Sequence, residues 1–236
     1  MTTHSPSNQF EPAFEVESAS IPIVTASVLL EDIKNRLKRG ERVVSYFASR
    51  ADDTSHVHLN CAFHSKESGL ILLRGVHTKH DPLPSLTTEF PLFHCFEREM
   101  SEEWEVRFLH HPWMKPIRFS GKHQNMMGDY PFFRLEGKEI HEVGVGPIHA
   151  GVIEPGHFRF MCYGETVHHL EIQLGYQHRG VQTLILNRPG PKLSPLVETI
   201  SGDSTIAHTW AYCAAWEKLS GKSMPLSVQI VRGIGL

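Results

Sequence analysis

Between Val145 and Gly180 the sequence sets His149, Glu154, His157, Arg159, His178 and Arg179 among glycines and two apolar runs. Ionisable side chains held among apolar strands tend to gather at clefts, so this stretch is the expected site of any chemistry. Glu154 is the carboxylate of that set. Its plain role is a structural ion pair with Arg159. His149, Glu154 and His157 also offer imidazole and carboxylate donors of the kind that suit zinc or iron, although no third histidine follows at a familiar spacing on one helix face. Arg179 reads as a buried hydrogen-bonding fork rather than a reacting group.

The elements that must carry these residues follow from periodicity. Val28, Leu29, Ile33 and Leu37 recur at helical spacing between Thr25 and Arg39, with Thr25 or Ser27 as N-cap and Gly40 as the stop. Strand-like runs begin at Arg42, His56 and Gly69, giving one helix on a small antiparallel sheet. A segment punctuated by prolines at 82, 84, 91, 112 and 116 leaves room for one helix, over Phe93 to Trp104. From Ile140 a second unit begins. Its runs HFRFMCYG and TVHHLEIQLG alternate as a β-hairpin about Gly164-Glu165. Helices are expected from near His178 to Leu186, from Ser204 to Leu219, and again after Pro225. The fold class is α+β. The expected organisation is a loose tail over 1–22, an α+β domain over 23–120, a polar linker over 121–139 and a second domain over 140–236.

Composition bounds the partners. The 236 residues are 40% hydrophobic and 21% charged, enough for one large or two small domains. A formal net charge of -3 argues against nucleic acid as a partner. Cys61, Cys95, Cys162 and Cys213 are scattered, form no CxxC pair and read as reduced thiols of a cytoplasmic protein. No apolar run reaches the roughly 20 residues that span a bilayer, so any membrane association is expected to go through partners.

The order GPIH at Gly146, IEPGHFR at Ile153 and GYQHRG at Gly175 resembles the start of the large subunit of energy-converting nickel-iron hydrogenases and of its relative in respiratory complex I, the D-type subunit. Upstream, PSLT at Pro84, ERE at Glu97, His111-Pro112 and Lys115-Pro116 resemble the C-type subunit of complex I, which some of these complexes fuse to the large subunit. Glu102, Trp104 and Glu105 depart from that pattern, Glu105 standing where the family carries Gly. The helix face bearing Glu97, Arg98 and Glu99 is then either a solvated surface with ion pairs or a clamp between subunits.

The resemblance implies a position for Glu154 beside the family's bimetallic centre, as a proton relay. It sets His149 where complex I carries its quinone loop, though the second, quinone-binding histidine is not matched. It also implies that His157 and His208 belong to the site and that Arg159, His178 and Arg179 form its wall. The family's E-R-V-C-G-I-C segment falls on Ser201, Gly202, Asp203 and Ser204, while Ala207-His208 and Glu217 still match. Serine hydroxyls do not replace the thiolates that hold nickel and iron, so Ser201 and Ser204 argue for no metal here. Only an N-terminal portion of the large subunit is matched, which implies a truncated core.

The resemblance therefore implies a subunit of a membrane-associated oxidoreductase complex, of NADH dehydrogenase or formate hydrogenlyase type, coupling electron transfer to ion translocation. Its implied partners are an iron–sulfur small subunit like the B-type one of complex I, membrane subunits, and the remainder of the large subunit in trans. No cofactor is expected in this chain, the iron–sulfur cluster residing in the partner. The location would be cytoplasmic, on the inner face of the membrane. NADH would bind elsewhere, since nothing resembles GxGxxG. Two other classes stay open: a non-catalytic scaffold or split fragment, and a small metal enzyme built on His149, Glu154 and His157.

Overall fold

A computed structural model of the chain describes residues 16–118, 130–188 and 190–235. Contacts divide it into two compact units, Ser18–His178 and the helical residues from Arg179 onward. The linker expected at 121–139 lies outside the described residues up to position 129.

In the first unit, β1 (Ile23–Thr25), β2 (Arg42–Arg50), β3 (His56–Ser65) and β4 (Gly69–Thr78) form one sheet in the order β1-β4-β3-β2. The β2-β3-β4 meander is antiparallel, and β1 adds parallel to β4. α1 (Ala26–Lys38) starts where the Thr25 side chain accepts the Val28 amide, as its N-cap position requires. Leu29, Leu30 and Ile33 form its buried stripe. Gly75 on β4 lets it lie close, because a Cβ there would stand 3.0 Å from Leu29 Cδ2.

The core joins that stripe to Tyr46, Val57, Leu59 and Phe63 of the sheet and to Phe93 and Met100 of the Pro-punctuated segment. Each fully buried side chain of this kind contributes about 1.5–3 kcal/mol. Tyr46 and Phe93 meet edge to face at 5.4 Å. That segment supplies β5 (Pro82–Pro84), paired parallel with β6 (Arg107–Leu109), and α2 (His94–Trp104) between them. α2 ends where Glu105 turns left-handed, at φ 60°.

β7 (Ile140–Val145), β8 (His157–Tyr163) and β9 (Thr166–Gln173) make a second antiparallel sheet in chain order. The hairpin expected from sequence is therefore widened by a third strand, IHEVGV. Its burial is inverted: the face holding Met161, Glu171 and Gln173 is buried, while Val143, Val145, Leu170 and Ile172 on the other face stay exposed.

The second unit is helical, with α3 (Val181–Asn187), α4 (Ser194–Val197), α5 (Thr205–Leu219) and α6 (Leu226–Ile234). α5 and α6 are clamped by Arg232, whose guanidinium donates to both carboxylate oxygens of Glu217 at 2.9 and 2.6 Å. That bidentate bond holds the Glu217 carboxyl below its usual range. Among the described residues of this unit, Val197 is the one buried side chain. The unit thus has helices but almost no core of its own. No described helix is long and apolar enough to cross a membrane.

Candidate functional site

The sequence-predicted residues of the first unit cluster at the loop joining β7 to β8, residues 146–156. Two imidazoles close this loop crosswise. His149, inside the loop, has Nε2 at 2.8 Å from the Gly156 carbonyl oxygen, and His157, at its far end, has Nδ1 at 3.3 Å from the Gly146 carbonyl. A carbonyl only accepts, so each contact requires a proton on that ring nitrogen. His149 also lies edge-on to Phe158, and His157 to Phe132.

Glycine makes the closure possible. Gly146 sits at φ +88°, and a Cβ there would run into the Gly156 carbonyl and stand 2.5 Å from His149 Nε2. Both histidines thus build the loop. Outside it the loop carries apolar weight, with Ile148 and Val152 each 83% exposed. Glu154 lies on this exposed arm.

Arg159 ion-pairs with Glu142 across the β7-β8 register and lies 4.6 Å from the Phe132 ring. His149, Glu154 and His157 do not gather as a metal site: among the described residues no group of three His, Cys, Asp or Glu side chains could hold an ion. The small metal enzyme therefore loses its geometry. His178 is exposed, its amide donating to the Gly175 carbonyl in the turn that ends the sheet.

In the second unit Arg179 is exposed rather than buried as expected, and its guanidinium donates to the Thr199 carbonyl. Ser201 precedes the short 3-10 turn Gly202–Ser204 that opens α5, and its carbonyl accepts the Ser204 amide and the Thr205 hydroxyl. The stretch is a helix start. Its side chains are two hydroxyls and one carboxylate, a hard donor set that does not fit a nickel–iron centre. His208 is half-buried on the first turn of α5, and Cys213 is half-buried further along it.

A polar hub escaped the sequence reading. Glu97 is fully buried, not solvated, and its carboxylate accepts from the Ser85 and Thr87 hydroxyls and the Leu86 amide at 2.5–2.7 Å. Arg98 donates to the carbonyls of Lys115 and Pro116, and Glu102 accepts the amides of Ile117 and Arg118. Lys115 then ion-pairs with Glu171 of β9, only 1% exposed, which also accepts the Phe133 amide. The chain PSLT–ERE–KP–Glu171 is thus one continuous tie from α2 to the second sheet. PSLT and ERE, ten to twelve residues apart, were its visible signal. Glu171 had none beyond a charge inside an apolar alternation.

No protein-family model matches the chain. It is 34% identical over 101 residues to formate hydrogenlyase subunit 5 of Escherichia coli (strain K12), covering 42% of this chain and 18% of that protein. Against the membrane-bound hydrogenase subunit alpha of Pyrococcus furiosus it is 31% identical over 93 residues, 39% of this chain and 22% of the other. A longer alignment, 20% identical over 203 residues, joins it to the C/D subunit of the NADH-quinone oxidoreductase of Phocaeicola vulgatus, with 72% of this chain and 39% of that one. The chain spans about a fifth of the length of the first two relatives and two fifths of the third. Over some two fifths of its length, the chain is homologous to hydrogenase and NADH-quinone oxidoreductase subunits and matches part of a hydrogenase large subunit or of its D-type counterpart in complex I.

Proposed function

We infer that the chain is a peripheral component of a membrane-associated, complex I-like or hydrogenase-related oxidoreductase complex, of NADH dehydrogenase or formate hydrogenlyase type. In such a complex it takes part in coupling electron transfer to ion translocation. The homology to subunits of these assemblies carries the reading. The apolar surfaces support it. The outer face of the β7-β9 sheet, the tip of the 146–156 loop and the uncovered helices of the second unit all suit burial against other protein. Its partners would be an iron–sulfur small subunit, membrane subunits and the remainder of a large subunit. It has no nickel–iron centre of its own, because Ser201, Asp203 and Ser204 supply no thiolate.

Glu154 is the residue we assign as proton relay, on an arm held in place by the His149 and His157 closures. We carry Arg159 and His178 of the first unit and Arg179 of the second as supporting residues, and His208 of the second as a further candidate for proton transfer. Replacing Glu154 by Gln keeps size and polarity but removes the titrating proton. Ion-coupled turnover of the assembled complex is expected to fall about tenfold or more while subunit content stays intact. Unchanged turnover in a fully assembled Glu154→Gln complex removes the relay.

A second reading, a non-catalytic scaffold, is favoured by one observation. α5, TIAHTWAYCAAWEKL, is largely apolar with no single polar face, yet has no buried residue. A helix of that kind belongs inside a larger helical core. Intact assembly and full turnover with Glu154→Gln is the outcome that selects it.

A further inference from the structure

The buried histidine of the Pro-punctuated segment has a role that the electron-transfer reading does not use. His111 is 1% exposed at its side chain, and its Nδ1 accepts the Trp113 amide at 2.9 Å. An accepting Nδ1 carries no proton, so the ring is neutral and protonated at Nε2. That nitrogen faces Glu97 Oε2 at 3.8 Å, beyond hydrogen-bond reach, and makes no well-formed hydrogen bond. The turn held by His111 leads directly into the joint between the two sheets. Trp113 stacks on His169 of β9, Lys115 Nζ stands 4.7 Å from the Trp113 ring centre, and Lys115 closes on Glu171.

We propose that His111 is a proton-operated latch, whose neutral ring docks the Trp113–Lys115 segment on β9 and whose protonation releases it. A proton on Nδ1 turns the acceptor into a donor pointing at the Trp113 amide, so the bond that closes the turn is lost. The titratable or charged groups facing the ring are Glu97, His94 and Arg98, all on α2. Burial dominates and holds the imidazole below its ordinary value, against the attraction of Glu97 and the His94 backbone and with the repulsion of the Arg98 and His94 side chains. A histidine lowered in the folded state binds fewer protons folded than unfolded. Its contribution is complete above the ordinary imidazole value of about 6.5 and is lost progressively as pH falls from there through the lowered folded-state value.

Hydrogen exchange of the full chain from about pH 7.5 down to about pH 4.5 reads the latch, after correction for intrinsic exchange rates, below that imidazole value. Amides of 111–118 and of β9 are expected to lose protection together on acidification, while those of β3 keep it. His111→Asn retains an acceptor for the Trp113 amide and does not titrate, so its protection should be flat with pH. Protection in the wild type that does not change with pH overturns the latch. So does a pH-dependent loss that persists in His111→Asn. Should that variant fail to fold, the His111 ring proton followed by NMR in the wild type decides. Titration coincident with the loss of Trp113 amide protection supports the latch, and titration without it overturns the proposal.

Discussion

Glu105 shows how a single residue registers a departure from its relatives. It ends α2 at φ 60°, a left-handed conformation that costs an L-residue about 1–2 kcal/mol, and it stands where the resembled family carries Gly. Glu105→Gly should therefore stabilise the first unit by about 0.5–1 kcal/mol, read as a higher denaturation midpoint. A lower midpoint would mean that the Glu105 side chain holds something the backbone geometry does not show. The other residue-scale lesson concerns charge. Glu97 and Glu171 are buried because each carboxylate meets hydrogen-bond donors distant in sequence, three of them from Ser85–Thr87 for Glu97, and a buried carboxylate without them would cost several kcal/mol. In sequence an ERE triplet on a helix reads as a wet surface, because the donors that satisfy it lie ten to twenty positions away. Their meeting is a tertiary fact.

At the scale of elements, local rules were legible and pairings were not. The α1 cap at Thr25, three of the four strands of the first sheet, the 93–104 helix and the helices near 181, 205 and 226 follow from periodicity and punctuation, whereas the parallel edge strand β1 does not. IHEVGV was not read as a strand, since a glycine and a charge break its alternation and its partner Phe158–Tyr163 supplies the register. Nor could alternation say which face of β8 and β9 turns inward. The polar face won because Lys115, the Phe133 amide and Tyr176 satisfy it. The 146–156 loop makes the strictest claim at this scale. Gly146→Ala puts a methyl into the Gly156 carbonyl and the His149 ring at positive φ, and should cost roughly 2–4 kcal/mol. Gly151→Ala also sits at positive φ but meets open space, and should cost about 1 kcal/mol. Equal effects in a denaturation series would show that the imidazole closures do not hold the loop.

Across the whole molecule, the two units differ in self-sufficiency. Residues 18–178 own a core of Tyr46, Phe63, Phe93, Leu59 and Ile33, whereas the helices from Arg179 onward bury little more than Val197. Marginal stability in a small domain needs a packed interior, so the helical unit calls for other protein against it. Ancestry was legible in IEPGHFR and GYQHRG, and the absence of thiolates at 201–204 was plain from the residues themselves. The candidate site was less legible, because His149 and His157 offer ligand chemistry in sequence and serve as loop closures in the fold. The claim that joins these scales is membership in a multi-subunit, membrane-associated oxidoreductase. It is tested most directly by isolating the affinity-tagged chain from membranes of its native host. The account predicts stoichiometric recovery with an iron–sulfur small subunit and membrane subunits; recovery of the chain alone, as a free monomer with a cooperative melt, would contradict it.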